Sequence, residues 1–191
     1  MRVLLVLAVL LCPGWAVAGD SVTYDAADEL AARGAVVSAF GGVTISAGRP
    51  ALRQFAADGQ EAVVVALGLM DVAQWSTPQQ LRWRVRAALG DLRSVPCVIW
   101  VDLRLLSTIH DDWPARVRVF NDILEDEAPL VAHWGYYSHG HRDWFRADGF
   151  HPNRRGQAAY ARFLAGQVRQ RCPGVQAPPV VHRLELSTTR R

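Results

Sequence analysis

Short apolar segments alternate with longer amphipathic segments along the chain. Five apolar segments, rich in Val, Ile and Trp and with little polar alternation, are predicted strands: residues 14–19, 35–40, 62–68, 95–103 and 129–135. Strands of this kind are covered on both faces, as in a parallel sheet. Amphipathic segments are predicted helices near residues 25–33, 49–58, 77–91, 114–127 and 152–170. Five strands interleaved with five helices predict a three-layer α/β/α sandwich.

Residues typical of helix ends support these assignments. Asp25 is a candidate N-cap for the first helix, and Gly34 follows its end. Thr77 followed by Pro78 is typical of an N-cap and a first-turn proline, and Pro152 is predicted to start the last helix.

The length fits one domain. A chain of 191 residues has room for one full sheet and its covering helices, and we assign the domain to residues 15–172. The segment 173–191 has three prolines and no helical period, so it is predicted to be an extended C-terminal tail.

The first 18 residues resemble a signal peptide. Arg2 precedes a nine-residue apolar core from 3 to 11, a Pro-Gly break follows, and small residues stand at Ala16 and Ala18. The core is too short to span a bilayer, so a secreted or cell-envelope protein without a stable membrane span is expected. Cleavage after Ala16 or Ala18 would, however, remove much of the first predicted strand. The alternative is a leader that is uncut, as in a cytoplasmic protein, or cut before that strand.

Composition excludes several kinds of chemistry. All 21 basic residues are arginines, so Schiff-base catalysis, pyridoxal phosphate attachment and a Walker-type phosphate lysine are excluded. The formal net charge is +3 and the arginines form no dense block, which favours a solvated surface over a nucleic-acid partner. No cofactor is expected.

Removal of the leader would leave two of the three cysteines. Cys12 lies in the leader, while Cys97 and Cys172 lie in the domain. Two remaining cysteines are compatible with one disulfide in an oxidising compartment, and two unpaired thiols are the alternative.

Candidate catalytic residues lie near the two ends of the domain. Ser21 directly follows the first predicted strand, at the sheet edge where ligands bind in such folds. A serine needs a base to become nucleophilic, and "DGFHPN" supplies His151 with Asp148 three residues before it. A turn can carry both side chains, so that Asp148 accepts the imidazole Nδ1 proton and Nε2 faces a hydroxyl.

These segments resemble those of the SGNH or GDSL-type hydrolases. The resemblance covers "GDSVTYD", "AFGGVT", "GLMD" and "DGFHPNRRGQAAYA", in the family's order, from residue 15 to about residue 170. It implies a flavodoxin-like five-stranded parallel sheet and a Ser21-His151-Asp148 triad. It also implies an oxyanion hole formed by the amides of Ser21 and Gly42, with Gly41 as the alternative glycine.

The third segment departs from the family pattern. The pattern is Gly-x-Asn-Asp, and Met70 stands where the family has the asparagine that helps bind the oxyanion. Met70 donates no hydrogen bond, and losing one oxyanion donor typically lowers turnover by about a hundredfold to a thousandfold. Gln74 and Trp75 are candidate replacement donors.

The resemblance implies a serine-dependent ester hydrolase or acyl transferase. An acylated carbohydrate or a lipid-like ester is the expected substrate class, with Trp75 and Trp144 as candidate substrate-binding walls. The chief alternative is a non-catalytic glycan- or protein-binding module, because of Met70. A flavin or nucleotide binder shares the fold class but needs a glycine-rich phosphate loop that the sequence lacks.

Other polar residues receive structural interpretations. Asp20 is expected to fix the serine turn through backbone amides, and Asp143 is a less favoured alternative to Asp148. His133, His139 and His141 are expected in polar loops, since no matching carboxylate set indicates a metal site.

Overall fold

A computed structural model describes residues 14–74, 76–104 and 112–175. Its sheet has five parallel strands in the order β2-β1-β3-β4-β5, which is the flavodoxin-like order. The strands are β1 Trp15–Gly19, β2 Ala35–Ala39, β3 Ala62–Ala66, β4 Cys97–Val101 and β5 Val131–Ala132. All four neighbouring pairs are parallel, so the predicted sheet is confirmed.

Eight α-helices and one 3₁₀ helix occur in the described residues. The α-helices are α1 Ser21–Asp25, α2 Ala27–Ala31, α3 Ile45–Ala57, α4 Leu69–Ala73, α5 Pro78–Asp91, α6 Trp113–Glu127, α7 Trp134–Tyr137 and α8 Arg154–Arg171. The 3₁₀ helix is Arg142–Trp144.

The helices lie on both faces of the sheet. Alternate strand residues point to opposite faces. Val17 and Val64 belong to one buried cluster, with side chains from α2 and α8 such as Leu30 and Leu164. Ala18 and Val63 belong to the other cluster, with side chains from α3, α5 and α6 such as Leu52, Val85 and Phe120. The three-layer sandwich is therefore confirmed.

Some predicted helix ends are wrong. Asp20, not Asp25, caps the first helix, and its carboxylate accepts a hydrogen bond from the Val22 N–H at 3.1 Å. Pro152 lies before the last helix, whose N-cap is Asn153, with its side chain accepting from the amides of Arg155 and Gly156. In both places a side-chain acceptor sets the first turn. At Thr77 the predicted cap is confirmed, with a capping box completed by Gln80.

β1 lies in the middle of the sheet. All five of its residues are buried, and it pairs with β2 on one side and β3 on the other. Residues 15–18 of the leader-like segment are therefore part of the core. Cleavage after Ala16 or Ala18 would delete part or nearly all of this strand. The remainder of that segment, with Cys12, lies outside the described residues.

A disulfide joins Cys97 to Cys172, which are 75 residues apart in sequence. Cys97 begins β4 and Cys172 follows α8, so the bond lies at the amino edge of the sheet. Of the tail, residues 176–191 lie outside the described residues. Across the described part of the chain, no helix is both long and apolar enough to cross a membrane.

Candidate active site

Ser21 is held at the carboxyl edge of the sheet by the turn that links β1 to α1. Asp20 leaves β1 with its N–H bonded to the Ala66 carbonyl of β3 at 3.1 Å. Its carboxylate caps α1, and Ser21 is the first residue of that helix. The turn is therefore fixed on both sides of the hydroxyl.

A close approach of α1 to β1 requires glycine at position 19. A Cβ on Gly19 would lie 2.1 Å from the Thr23 hydroxyl oxygen. Thr23 is buried, and its Oγ1 lies 3.3 Å from the hydroxyl of Tyr160 on α8. This contact ties the serine turn to the helix that follows the histidine loop.

The loop of residues 145–153 carries the histidine. Its ends are joined by a bridge between Phe145 and Pro152 and by a hydrogen bond from the Arg146 N–H to the His151 carbonyl. Gly149 has φ +80°, a conformation that favours glycine. Asp148 Oδ1 accepts hydrogen bonds from the amides of Phe150 and His151, at 3.0 and 2.9 Å. One carboxylate oxygen thus shapes the turn.

The other oxygen of that carboxylate orients the imidazole. His151 Nδ1 lies 3.0 Å from Asp148 Oδ2, and His151 Nε2 lies 2.9 Å from Ser21 Oγ. A proton on Nδ1, facing the carboxylate, leaves Nε2 as the acceptor for the serine O–H. The structure therefore brings together the three side chains that the sequence singled out as a triad.

The environment favours a charged Asp148. Partial burial acts to raise the pKa of Asp148, but hydrogen bonds from the amides of His151 and Phe150 and from the imidazole outweigh it and lower that pKa below its usual value. Asp20 is the opposite case, because burial raises the pKa of its carboxyl to about 7. The expectation that Asp20 fixes the turn through backbone amides is met by its bond to Val22.

The candidate oxyanion glycine lies next to the serine turn in the sheet. Gly41 and Gly42 form an exposed turn after β2, and the Phe40 N–H donates to the Gly19 carbonyl at 3.2 Å. This bond holds the start of the turn against the end of β1. Gly42 has φ +73°, whereas Gly41 has no positive φ, so the backbone requirement for glycine falls on Gly42.

The "GLMD" segment forms the link from β3 into α4. Gly68 has φ +137°, and a Cβ there would lie 2.3 Å from the Phe120 ring, so only glycine fits without rearrangement. Met70 is half-buried in the first turn of α4. Gln74, a candidate replacement donor, is exposed at the carboxyl end of this helix. Trp75 lies outside the described residues.

Asp71 connects three segments of the site. Its side chain is fully buried, with Oδ2 accepting from the Ile45 N–H at 2.8 Å and Oδ1 accepting from Arg84 at 2.7 Å. Arg84 also donates to the Ser76 hydroxyl at 2.6 Å. Burial raises the pKa of Asp71, although these hydrogen bonds act against the shift. The carboxylate thereby fixes α4 to the amino end of α3, which follows the Gly42 turn.

Trp144 lies in an aromatic cluster. Its ring is stacked on Trp134 at 6.1 Å and on His141 at 3.7 Å between ring centroids. These contacts are with other side chains of the domain, so the role of Trp144 in substrate binding stays a prediction. The ring beside the histidine is instead Phe150, whose centroid lies 4.3 Å from that of His151 and 6.3 Å from that of Trp113.

The remaining polar candidates lie outside the group formed by Ser21, His151 and Asp148. Asp143 is exposed, 3.7 Å from Arg155 and 4.0 Å from His141. The carboxylate that contacts His151 is that of Asp148. His133 lies 3.6 Å from Asp102, a largely buried side chain that also accepts from the Gly135 N–H. Within residues 14–74, 76–104 and 112–175, no group of three or more His, Cys, Asp or Glu side chains could hold a metal ion.

Comparison with solved structures identifies the fold. The chain is similar to a lipase/acylhydrolase from Enterococcus faecalis, with a TM-score of 0.66, 16% identity, and coverage of 86% of this chain and 99% of the other. It is equally similar to the catalytic domain of Streptococcus pneumoniae peptidoglycan O-acetyltransferase A, with a TM-score of 0.66, 19% identity, and coverage of 82% and 93%. A lipolytic G-D-S-L protein from Veillonella parvula gives 0.64, 16% identity, and coverage of 82% and 96%.

The chain therefore has the SGNH or GDSL-type hydrolase fold, as its sequence segments predicted. Searches of family models and of curated protein sequences find no match.

Two features of the site were not predicted from the sequence. The first is the network of Asp71, Arg84 and Ile45, for which "GLMD" gave the aspartate but not its partners. The second is the pair of rings formed by Phe150 and Trp113. An aspartate within the apolar stretch that follows a predicted strand was a usable signal for Asp71. No sequence pattern indicated the contact between the two rings.

Proposed function

We propose that this protein is a serine-dependent ester hydrolase or acyl transferase. The observation that carries the proposal is the continuous hydrogen-bonded path from Ser21 Oγ through His151 to Asp148, with distances of 2.9 and 3.0 Å. In this arrangement the imidazole can take the proton of the serine hydroxyl while the carboxylate orients the imidazole. The fold, shared with esterases and an acetyltransferase, supports the same conclusion.

In the first half of the reaction, His151 Nε2 takes the proton of Ser21 as Oγ attacks the ester carbonyl carbon. The tetrahedral intermediate collapses when the bond to the alcohol oxygen breaks, and His151 returns the proton to that oxygen. Asp148 holds the imidazole and stabilises its charged form. The product on the enzyme is an acyl ester of Ser21.

In the second half, an incoming hydroxyl group attacks that acyl ester. His151 takes its proton and then gives it back to Ser21 Oγ as the acyl bond breaks. Water as the acceptor gives hydrolysis, and a sugar hydroxyl gives acyl transfer. An acylated carbohydrate or lipid-like ester is the substrate class that we propose.

The oxyanion is received by the backbone amides of Ser21 and Gly42. The position of Ser21 at the first turn of α1 supports this role for its amide, which has no acceptor within that helix. Met70 adds no donor. With two amides and no asparagine, the enzyme is expected to turn over slowly.

We further propose export to the cell envelope or beyond. The disulfide between Cys97 and Cys172 supports an oxidising compartment. Since residues 15–19 are needed for the sheet, the exported protein is either uncut or cut before Trp15. Mass spectrometry of the N-terminus of exported protein tests this, and a terminus at Val17 or Gly19 contradicts it.

Labelling and turnover together test the catalytic proposal. A fluorophosphonate probe is expected to modify Ser21, as mapped by mass spectrometry, and a short-chain nitrophenyl ester is expected to be cleaved. Ser21→Ala is expected to abolish labelling and to lower turnover roughly a thousandfold or more. Ser46→Ala, which removes an exposed hydroxyl on α3, is the matched control and should change neither.

Absence of labelling at high probe concentration would instead favour a non-catalytic glycan- or protein-binding module. Met70 is the observation that favours this second candidate. Glycan-array binding that survives Ser21→Ala, without ester cleavage, would establish it.

A further inference from the structure

An ion pair joins the helix that carries Ser21 to the histidine loop, which comprises residues 145–153. The carboxylate oxygen Asp25 Oδ2 lies 3.0 Å from Arg146 Nη2. Ser21 is the first residue of α1 and Asp25 is its last. Because residues four positions apart lie on the same face of a helix, one face of α1 carries both side chains that contact the loop.

The two partners in the loop are also neighbours, although they are five positions apart in sequence. The Arg146 N–H donates to the His151 carbonyl at 2.8 Å, beside the bridge that joins the ends of the loop. The contact of His151 with Ser21 and the contact of Arg146 with Asp25 therefore run side by side between the same two segments. A shift of the loop away from α1 would lengthen both contacts.

The ion pair is partly shielded from solvent. The side chain of Asp25 is 18% exposed, and that of Arg146 is 48% exposed. Asp25 Oδ2 is buried and makes no hydrogen bond of good geometry within the described residues, so the nearby guanidinium is the group that offsets its charge. Loss of the guanidinium would leave this buried oxygen uncompensated, which costs more than the loss of a fully exposed pair.

The hydrogen bond between Ser21 and His151 is absent during part of the reaction proposed above. Once the acyl group is attached to Ser21, Oγ has no proton to donate to the imidazole. His151 Nε2 must then take the proton of the incoming hydroxyl group. Asp148 still orients the imidazole, but both of these residues belong to the loop. Of the two contacts that run side by side, the ion pair is the one that remains in the acyl-enzyme.

We propose that Asp25 and Arg146 are positioning residues, which hold the histidine loop against α1 while Ser21 is acylated. The proposal rests on the proposed esterase or acyltransferase function. In the acyl-enzyme the carbonyl carbon is bonded to Ser21, so the position of the loop relative to α1 sets the distance between the imidazole and the hydroxyl group that attacks this carbon. A misplacement of about 1 Å can lower a rate by roughly a hundredfold.

Pre-steady-state cleavage of nitrophenyl acetate separates the two halves of the reaction, since nitrophenol is released when Ser21 is acylated. In Arg146→Met and in Asp25→Asn, the rate constant for breakdown of the acyl-enzyme is expected to fall about tenfold, whereas that for acylation should change by less than about threefold. Mass spectrometry of quenched samples should show acetyl-Ser21 accumulating in both variants. In the steady state, kcat and KM should fall together and leave kcat/KM nearly unchanged.

A double variant tests whether the two residues act through one contact. Asp25→Asn combined with Arg146→Met should break down the acyl-enzyme no more slowly than the slower single variant, because all three proteins lack the same ion pair. Arg146→Lys keeps the charge and should stay within about threefold of wild type. Glu29→Gln is the matched control, since Glu29 on α2 pairs with Arg33 at 2.7 Å. It should leave both rate constants unchanged.

Hydrogen exchange tests the position of the loop without relying on catalysis. Ser21→Ala removes the hydrogen bond to His151, as acylation does. In this background, Arg146→Met is expected to speed exchange of peptides covering residues 145–153 by about threefold or more, while Glu29→Gln should not. Peptides from β3 report on the whole fold and should exchange at the same rate in all of these proteins, which excludes general unfolding as the cause.

The possible failures are distinguishable. A raised KM and a lowered kcat/KM in Arg146→Met, without an effect of Asp25→Asn, would make Arg146 a substrate-binding residue and overturn the positioning proposal while the esterase function stands. Equal slowing of acylation and breakdown, or additive effects in the double variant, would also overturn it. Wild-type protein that neither cleaves an ester nor reacts with a fluorophosphonate contradicts the proposed function itself. Unchanged exchange of the histidine loop in the Ser21→Ala background would show separately that the ion pair does not hold the loop.

Discussion

His151 Nε2 lies 2.9 Å from Ser21 Oγ, although the two residues are 130 positions apart in sequence. Two local arrangements produce this distance. Asp20 caps α1 and fixes the serine at its first position, and Asp148 folds the histidine loop through two backbone hydrogen bonds. An aspartate thus anchors the backbone on each side of the contact.

Asp148→Asn is expected to lower kcat by about a thousandfold, because an amide no longer stabilises the imidazolium or selects the Nδ1–H tautomer. Steady-state cleavage of nitrophenyl acetate measures the effect. Asp143→Asn alters the other acid considered for this role and should leave kcat within twofold. A large loss of kcat in Asp143→Asn with a small loss in Asp148→Asn would mean that Asp143, and not Asp148, orients the imidazole.

Met70→Asn is expected to raise kcat roughly tenfold to a hundredfold, since the new amide supplies the oxyanion donor that Met70 lacks. Met70→Leu is the control for a change of side chain without a donor, and it should match wild type within about threefold. If the asparagine variant turns over no faster than the leucine variant, another donor already occupies the oxyanion hole.

Asp71→Ala is expected to reduce the free energy of unfolding by about 2–4 kcal/mol, because it leaves the Ile45 N–H and Arg84 without their buried acceptor. It should also lower kcat more than tenfold by releasing the segment between Gly42 and α3.

Urea unfolding and ester kinetics measure the two effects. Asp91→Ala is the matched control, since Asp91 also pairs with an arginine, Arg49, and joins α5 to α3. Asp91→Ala should lower stability but leave kcat within twofold. A fall in kcat as large as that of Asp71→Ala would mean that Asp71 acts only by stabilising the fold.

Asp20→Asn is expected to change how stability depends on pH. Burial raises the pKa of Asp20 to about 7 in the folded protein, against 3.8 as its ordinary value. Between these values the folded state binds more protons than the unfolded state, so this group makes wild type less stable as pH rises from about 4 to about 7.

Asparagine keeps the helix cap without titrating. The stability of Asp20→Asn relative to wild type should therefore increase by about 2–3 kcal/mol between pH 5 and pH 8, as measured by urea unfolding. Burial also raises the pKa of Asp102, to about 6, but that group acts in both proteins and cancels in the difference. A difference that is constant with pH would mean that Asp20 remains charged throughout.

Loss of the disulfide is expected to lower the free energy of unfolding by about 2–4 kcal/mol, because the bond closes a long segment in the unfolded chain. Urea midpoints with and without dithiothreitol measure this in the wild-type protein. The double variant Cys97→Ser, Cys172→Ser should already have the lower midpoint and should not respond to the reductant. An unchanged midpoint in the reduced wild-type protein would contradict the expected stabilisation.

Much of the fold was predictable because its signals are local. Strands covered on both faces must be continuously apolar, which is why β1, β3 and β4 were recognised within a few residues of their ends. α4 and α7 were missed, because helices of five and four residues are too short to show a period. Asp25 was assigned as the cap because the sequence alone does not show that α1 starts directly after the strand.

The residues of the candidate site were predictable from the sequence, but their connections to other segments were not. Ser21, His151 and Asp148 were identified by residue type, order and resemblance. The bond from Asp71 to Ile45 and the contact between the rings of Phe150 and Trp113 were not, since each depends on segments that meet only in the folded chain.

The sequence by itself determined the elements and the reactive groups that this protein possesses, because apolar patterning and side-chain chemistry are properties of single segments. The tertiary structure decided which of these groups meet. Strand order placed β1 and β4 two positions apart in the sheet, and packing brought the histidine loop against the turn that follows β1. The distances between side chains therefore follow from contacts between distant segments, which no single segment encodes.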